Sequence, residues 1–267
     1  MAHPAPTLGD ADILLRSDKD GIATLTLNRP QARNALSLAL MNAVIDELET
    51  IAGDASVKAV VIAGNGPAFC AGHDLKEVRA NPGRAFYEQT FAQCSRMMQA
   101  VVRLPQPVIA RVHGIATAAG CQLVASCDLA LAADNARFAT PGVNIGLFCS
   151  TPMVALSRNI GRKQAMEMLL LGEMVPASRA VEFGLINRAV PEAELDGAVM
   201  EMAGKIAAKS PLVLKIGKEA FYRQLELGLS DAYDYASQVM TENMLARDAG
   251  EGIDAFIEKR PPIWQGR

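Results

Sequence analysis

The chain has 267 residues, half of them hydrophobic and 21% charged, with a formal net charge of −3. That balance excludes disorder and gives no general attraction to nucleic acid or anionic membranes, so any anion site has to be local. The five cysteines, at 70, 94, 121, 127 and 149, form no C-x-x-C pair, which argues against a disulfide framework or structural zinc and predicts a reducing compartment.

In chain order, residues 1–17 start Pro-rich (Pro4, Pro6), lack an apolar h-region and carry Asp10 and Asp12. No secretory or mitochondrial signal is read there, and a cytoplasmic location is expected. Residues 22–27 alternate as a strand ending at Asn28-Arg29-Pro30. Leu36, Leu40, Val44, Leu48 and Ile51 then mark one helix face, with Gly53 placed to stop it. Residues 58–63 predict a second strand, 83–102 a helix, and 108–112, 129–133 and 137–140 further strands. The apolar run 108–131 is interrupted by Arg111, His113, Gln122 and Asp128, so it is no membrane span. Helices follow at 151–160, 162–171, 177–183, 192–208, 211–227, 230–247 and 249–259, interrupted by a strand at 185–190. Ser210-Pro211 supplies an N-cap and a first-position proline. No sequence repeat is visible. The pattern is α/β with a helical C-terminal region and a soft boundary near Pro191.

Two short turns stand out: Ala68-Phe69-Cys70-Ala71-Gly72-His73-Asp74-Leu75-Lys76-Glu77, and His113-Gly114-Ile115-Ala116-Thr117-Ala118-Ala119-Gly120-Cys121-Gln122. Each follows an apolar strand-like run and precedes a helix-like stretch, so free backbone N–H groups from both can aim at one oxyanion. The small residues Ala71, Gly72, Ala118, Ala119 and Gly120 let a ligand come close to the backbone; taken singly, such residues also suit tight helix–strand packing. Gly64-Asn65-Gly66-Pro67-Ala68-Phe69 begins like a dinucleotide motif but has Phe at the third glycine position and opens no helix at once, so a strand-ending turn is the better reading. His3, His73 and His113 form no i,i+4 pair, which makes metal binding improbable.

The ordered set of motifs resembles the crotonase, or enoyl-CoA hydratase/isomerase, superfamily from Ile13 to Trp264. The carrying residues are Leu27-Asn28-Arg29-Pro30 with Asn34-Ala35-Leu36, the two turns with Cys127-Asp128, Phe138 to Gly146, and Ala255-Phe256-Ile257-Glu258-Lys259-Arg260. Within it, His-Asp-Leu, Ala-Thr-Ala-Ala-Gly-Cys-Gln and Gly-Leu-Phe-Cys-Ser-Thr-Pro are similar to the enoyl-CoA hydratase domain-containing subgroup. The resemblance implies a spiral of strand-strand-helix units over 13–191 after a 1–12 tail, with 192–267 as a helical oligomerisation region assembling trimers or hexamers. It implies an acyl-CoA or enoyl-CoA substrate, coenzyme A entering only as part of that thioester, with no permanent cofactor, metal, nucleic acid or membrane partner. The oxyanion-hole N–H groups fall at His73 and Ala119. Gln31, Ala32, Arg33, Ala71, Asp74 and Leu75 correspond to the wall holding coenzyme A, with Arg33, Lys259 and Arg260 as candidate phosphate contacts.

The resemblance also locates a departure. The two glutamates that family hydratases use fall at Gln122 and Gly142, and neither residue can exchange a proton near neutral pH. Poor hydration is expected. The alternatives left open are another thioester reaction, such as decarboxylation, hydrolysis or isomerisation, with Glu77, His73, Cys149 or Ser150 handling protons, or a non-catalytic acyl-CoA-binding subunit.

Overall fold

The computed structural model describes residues 13–267; the expected N-terminal tail, His3 included, lies outside the described residues. The chain opens with a hairpin, β1 (Leu14–Lys19) and β2 (Ile22–Leu27), antiparallel in register from Leu14 opposite Leu27 to Lys19 opposite Ile22. Its turn is Asp20-Gly21, both residues at positive φ (53° and 76°), the conformation a tight two-residue hairpin demands and Asp-Gly supplies. β1 was not expected from the sequence.

Next come α1 (Leu38–Ala52), β3 (Ala59–Gly64), α2 (Leu75–Ala80), α3 (Arg84–Arg103), β4 (Val108–Val112), β5 (Ile115–Thr117) and α4 (Ala119–Ser126). After them run β6 (Leu129–Ala133), β7 (Arg137–Ala139), α5 (Ser150–Asn159), α6 (Arg162–Leu171), β8 (Val175–Pro176), α7 (Ala177–Phe183), β9 (Arg188–Val190), α8 (Leu195–Ala207), α9 (Pro211–Gln224), α10 (Leu229–Leu245) and α11 (Arg247–Glu258). The larger sheet has the order β1-β2-β3-β4-β6-β9, parallel after its first pair, and the smaller one β5-β7-β8. Single bridges from Leu36 to His73 and from Cys70 to Ala116 extend the smaller sheet's layer toward the N-terminus. Each turn of the chain therefore gives one strand to each layer before a helix returns it, the expected spiral of strand-strand-helix units.

The predicted α1 face is buried through Leu40, Val44, Leu48 and Ile51, and α1 packs on α3. Gly53 follows α1 in right-handed geometry, φ −91°, so the helix ends there without the left-handed cap that glycine suggested. The expected strand over 185–190 shortens to β9, with Leu185 and Ile186 buried ahead of it. The expected helix over 192–208 divides into a 3-10 turn, Glu192–Glu194, and α8, which packs against β3, β4 and β6.

Ser210 caps α9 as predicted and also donates to Asp248 at 2.6 Å. α9 is fastened to the core by Asp128: Lys218 Nζ stands 2.7 Å from its Oδ2, Tyr222 OH donates to Oδ1 at 2.9 Å, and Val108 N–H donates to Oδ2 at 2.7 Å. Lys218 also donates to the Val101 and Gln106 carbonyls.

Candidate active site

The first turn is built from the Asn28–Leu36 segment upward. Asn34 is fully buried; its Oδ1 accepts from Arg29 N–H at 2.8 Å, and its Nδ2 donates to the Asn65 and Ala68 carbonyls at 2.9 and 2.8 Å. This amide staples the loop after β2 to the loop after β3. Ala71 N–H then donates to Arg33 O, Leu36 N–H to Gly72 O, and Asp74 N–H to Leu36 O. In such a parallel pairing the backbone of the residue between, His73, points its own N–H away from Leu36. Gly72 has φ +92°, and a Cβ there would fall 2.8 Å from Ala118 Cβ and 3.3 Å from Ala119 N. Glycine is what lets the two turns meet.

The second turn is fixed by the same strand. Cys70 N–H donates to Ile115 O, Thr117 N–H to Cys70 O, and Ala118 N–H to Ala139 O. Ala118 sits at φ 50°, ψ −119°, a conformation unfavourable for any residue with a Cβ and held only by its surroundings. α4 begins at the next residue, so Ala119 N–H lies at the positive end of that helix. A Cβ on Gly120 would come 2.1 Å from Cys70 O, so α4 rests directly on the first turn's backbone. Among the described residues, neither His73 N–H nor Ala119 N–H has a backbone or side-chain acceptor. Two unengaged donors from facing turns are what an oxyanion needs.

The candidate proton-handling groups are placed as follows. Gln122 is buried, one turn into α4, and its Oε1 accepts a weak bond from Cys94 Sγ at 3.9 Å. At Gly142 a Cβ would lie 2.6 Å from Leu147 O and 2.9 Å from Cys149 Sγ. A glutamate there has no room unless the 142–149 loop moves. Glu77 Oε2 accepts from Leu38 N–H at 3.0 Å, capping the start of α1. Ser150 Oγ donates to Phe148 O at 3.3 Å. Burial raises the Cys149 thiol against the opposing Gly142 N–H, and pushes Cys70, Cys94 and Cys121 up to about 12, so these sulfurs stay protonated.

The proposed coenzyme A wall is brought together only in part. Pro30–Ala32 forms a 3-10 turn with Gln31 and Arg33 exposed, and the pairings above set Ala32 and Arg33 beside Ala71. Asp74 caps α2 through the Lys76 and Glu77 N–H groups, and burial would raise its pKa, but the Arg29 guanidinium at 2.9 Å and those N–H groups hold it below the usual carboxylate range. Leu75 is exposed on the first turn of α2. Lys259 and Arg260 stand at the end of α11, which packs on α9 and α10. Arg260 is already engaged, its Nη1 2.7 Å from Glu251 and its Nε bonded to Glu258, which lessens its value as a phosphate contact.

His113, read from sequence as a satisfied imidazole, bonds Gly66 O at 2.7 Å and contacts Arg111. The His73 ring differs: both its nitrogens are buried without a hydrogen-bond partner, and its edge meets Phe91 at 5.5 Å between centroids. Spacing alone gave no sign of this. Burial lowers the His73 pKa from 6.5 to about 4. The unfolded chain therefore takes up this proton first, so stability is intact above pH 6.5 and is lost as pH falls toward 4, by roughly 3 kcal/mol from this group. Denaturant unfolding of wild type and His73→Phe across that window checks it; equal losses in both would remove His73 as the cause.

The family described as enoyl-CoA hydratase/isomerase matches residues 17–267. The chain is 46% identical over 263 residues to the rat protein named enoyl-CoA hydratase domain-containing protein 3, mitochondrial, covering 98% of this chain and 88% of that one. A crystal structure of an enoyl-CoA hydratase from Mycobacterium smegmatis superposes with a TM-score of 0.93 at 56% identity, covering 94% of this chain and 98% of that one. The human enoyl-CoA hydratase domain-containing protein 3 structure gives 0.92 at 47%, covering 94% and 100%. The expected cytoplasmic location is corrected by these relatives, whose rat, mouse and human members are named as mitochondrial. Buried free thiols fit any reducing compartment, so cysteine usage could not separate the two. Matched along nearly its whole length in sequence and in fold, the chain belongs to the enoyl-CoA hydratase/isomerase family.

Proposed function

We propose that this chain binds acyl-CoA thioesters with the carbonyl oxygen between the His73 and Ala119 N–H groups, and that it is a poor enoyl-CoA hydratase. The observation that carries the first part is the pair of unengaged donors on two turns locked together at Gly72 and Gly120. The second part is supported by the amide at Gln122 and by Gly142, which has no space for a side chain. One well-placed acid–base group contributes about 10²- to 10⁴-fold, so lacking two removes most of the hydration rate. The test is hydration of short and medium enoyl-CoA substrates. We expect a kcat/KM at least about 10³-fold below the usual range of about 10⁴–10⁸ M⁻¹s⁻¹, with no recovery in Gln122→Glu, because Gly142 still leaves the second position empty. Turnover within the usual range would refute it.

A second reading, a non-catalytic acyl-CoA-binding subunit, is favoured by the engagement of Glu77 and Ser150 elsewhere and by the protonated Cys149. Binding without turnover across acyl classes is its signature.

Residues 192–267 take part in assembly through α10 and α11 in this proposal. Leu229, Leu245 and Phe256 are 78%, 77% and 85% exposed, whereas Val199 of α8 is buried in the chain's own core. Trimers, paired into hexamers, would cover the exposed faces. Sedimentation is expected to show them at micromolar concentration; a monomer would end the proposal.

A further inference from the structure

Arg29 and Asp74 form an ion pair, Nη2 to Oδ2 at 2.9 Å, with side chains 24% and 14% exposed. Each has a second set of partners. The other arm of the guanidinium, Nη1, donates to Ala35 O, and the other carboxylate oxygen, Oδ1, accepts the Lys76 and Glu77 N–H groups at 3.1 and 3.2 Å. One end of the pair therefore holds the carbonyl just before Leu36, and the other holds the start of α2 just after His73. Between them lies the bridge in which Leu36 N–H donates to Gly72 O and Asp74 N–H donates to Leu36 O. His73 is the residue suspended in that bridge, and its N–H is the one directed away from Leu36.

The two oxyanion donors are supported unequally. Ala119 N–H opens the eight-residue helix α4, whose own hydrogen bonds fix it. His73 N–H has only the two-bond bridge behind it, and Gly72, at φ +92°, has no Cβ to oppose rotation on one side. The segment across the bridge is a tight loop: Arg29 N–H donates to Asn34 Oδ1, Arg29 O accepts from Ala32 and Asn34 N–H, and Arg33 and Asn34 stand at φ 51° and 55°. Non-glycine residues keep such angles only where their surroundings hold them. The side-chain pair supplies the missing tie. A planar guanidinium reaches a carbonyl and a carboxylate at once, in fixed directions, which an ammonium on a flexible stem does not do.

Given the oxyanion site proposed above, on which this inference rests, we infer that Arg29 and Asp74 are positioning residues for the first carbonyl donor: their side-chain pair locks the Leu36–His73 bridge and with it the direction of the His73 N–H. This role differs from the coenzyme A wall that the resemblance implies for Asp74. A wall residue acts on the coenzyme A moiety with or without an acyl group, whereas a positioning pair acts on the thioester carbonyl, which free CoA lacks.

The experiment is isothermal titration of the full chain at neutral pH with butyryl-CoA and with CoA, together with the infrared band of butyryl-CoA labelled with ¹³C at the carbonyl. It compares wild type with Asp74→Asn, Arg29→Lys, Arg29→Met and the double variant Arg29→Met with Asp74→Asn, each shown folded by its thermal midpoint. Asn caps a helix about as well as Asp, so Asp74→Asn keeps the start of α2 while removing the charge that holds Arg29. The expected result is that the preference for butyryl-CoA over CoA falls by about 10-fold in Asp74→Asn and in Arg29→Met, a fraction of the roughly 10²-fold that a 1 Å misplacement costs. The bound carbonyl band should move back toward its position in water, with CoA affinity unchanged. Arg29→Lys should keep part of the preference, and the double variant should lose no more than either single one, because the two side chains act as one unit. If Arg29→Met does not fold, Asp74→Asn and Arg29→Lys decide the matter. An unchanged preference and carbonyl band in the folded variants, or an equal loss of CoA and butyryl-CoA affinity, overturns the inference. Wild type that binds butyryl-CoA no better than CoA overturns the thioester reading itself, which is how the two failures are told apart.

Discussion

Gly120→Ala is expected to destabilise the protein by about 1–3 kcal/mol and to abolish its preference for acyl-CoA over free CoA. The added methyl would meet Cys70 O at 2.1 Å, with the Cys70 carbonyl carbon at 2.8 Å, so backbone rather than a flexible side chain has to yield. The yielding elements are α4 and the strand-like segment at Cys70, which lead into the unengaged Ala119 and His73 N–H groups proposed to bind the carbonyl. A displacement near 1 Å at a reacting centre costs about 10²-fold. The measurement is a pair of thermal-shift titrations, one with CoA and one with butyryl-CoA. Ligand-linked stabilisation grows with the logarithm of ligand concentration over Kd, so loss of the difference reads directly as loss of carbonyl recognition. A stable variant that keeps the difference would show that the turns need not touch.

Asp128→Ala should cost about 3–5 kcal/mol, because it leaves the Lys218 ammonium buried without its counter-ion. Lys218 is 7% exposed by side chain, and burial already lowers its pKa, with Asp128 opposing that effect. Tyr222 OH and Val108 N–H lose their acceptor in the same variant. The expected result is a lower denaturant midpoint with little change in slope. The double variant Asp128→Leu with Lys218→Met should recover part of the loss, since an apolar pair replaces a charged one without leaving a bare charge. A single-variant loss under 1 kcal/mol would mean that α9 is fastened by other contacts.

The sequence showed some parts of this molecule clearly. Apolar periodicity placed α1 and α3 because each buries one stripe, and Ser210-Pro211 marked α9 because cap chemistry is local. β1 went unread although Asp20-Gly21 is a hairpin turn of the strongest kind; its burial, alternating only over its first few residues, offered little periodicity. The smaller sheet was mostly invisible, since β5 and β8 are three and two residues long, below the length at which alternation can be recognised. The spiral repeat leaves no repeat in the letters, because what recurs is strand pairing across long separations.

At the site, the two turns were legible as motifs, and their glycines made sense before any contact was known. What the letters could not convey is where side chains end. Glu77 looked available for proton transfer but caps α1, and Arg260 looked available for phosphate but is paired with Glu251 and Glu258. Gly142 read as a missing glutamate, yet the loop closes over the place a side chain would occupy. The unsatisfied His73 ring depends on its burial against α3, and burial is a tertiary property.

The central claim is that two backbone N–H groups polarise one thioester carbonyl. Infrared difference spectroscopy of butyryl-CoA labelled with ¹³C at the thioester carbonyl tests it most directly, because the stretching frequency falls when donors draw charge onto the oxygen. The account predicts a downshifted carbonyl band on binding to the wild-type chain, lost in Gly120→Ala. A saturated complex whose carbonyl absorbs where it does in water would contradict it.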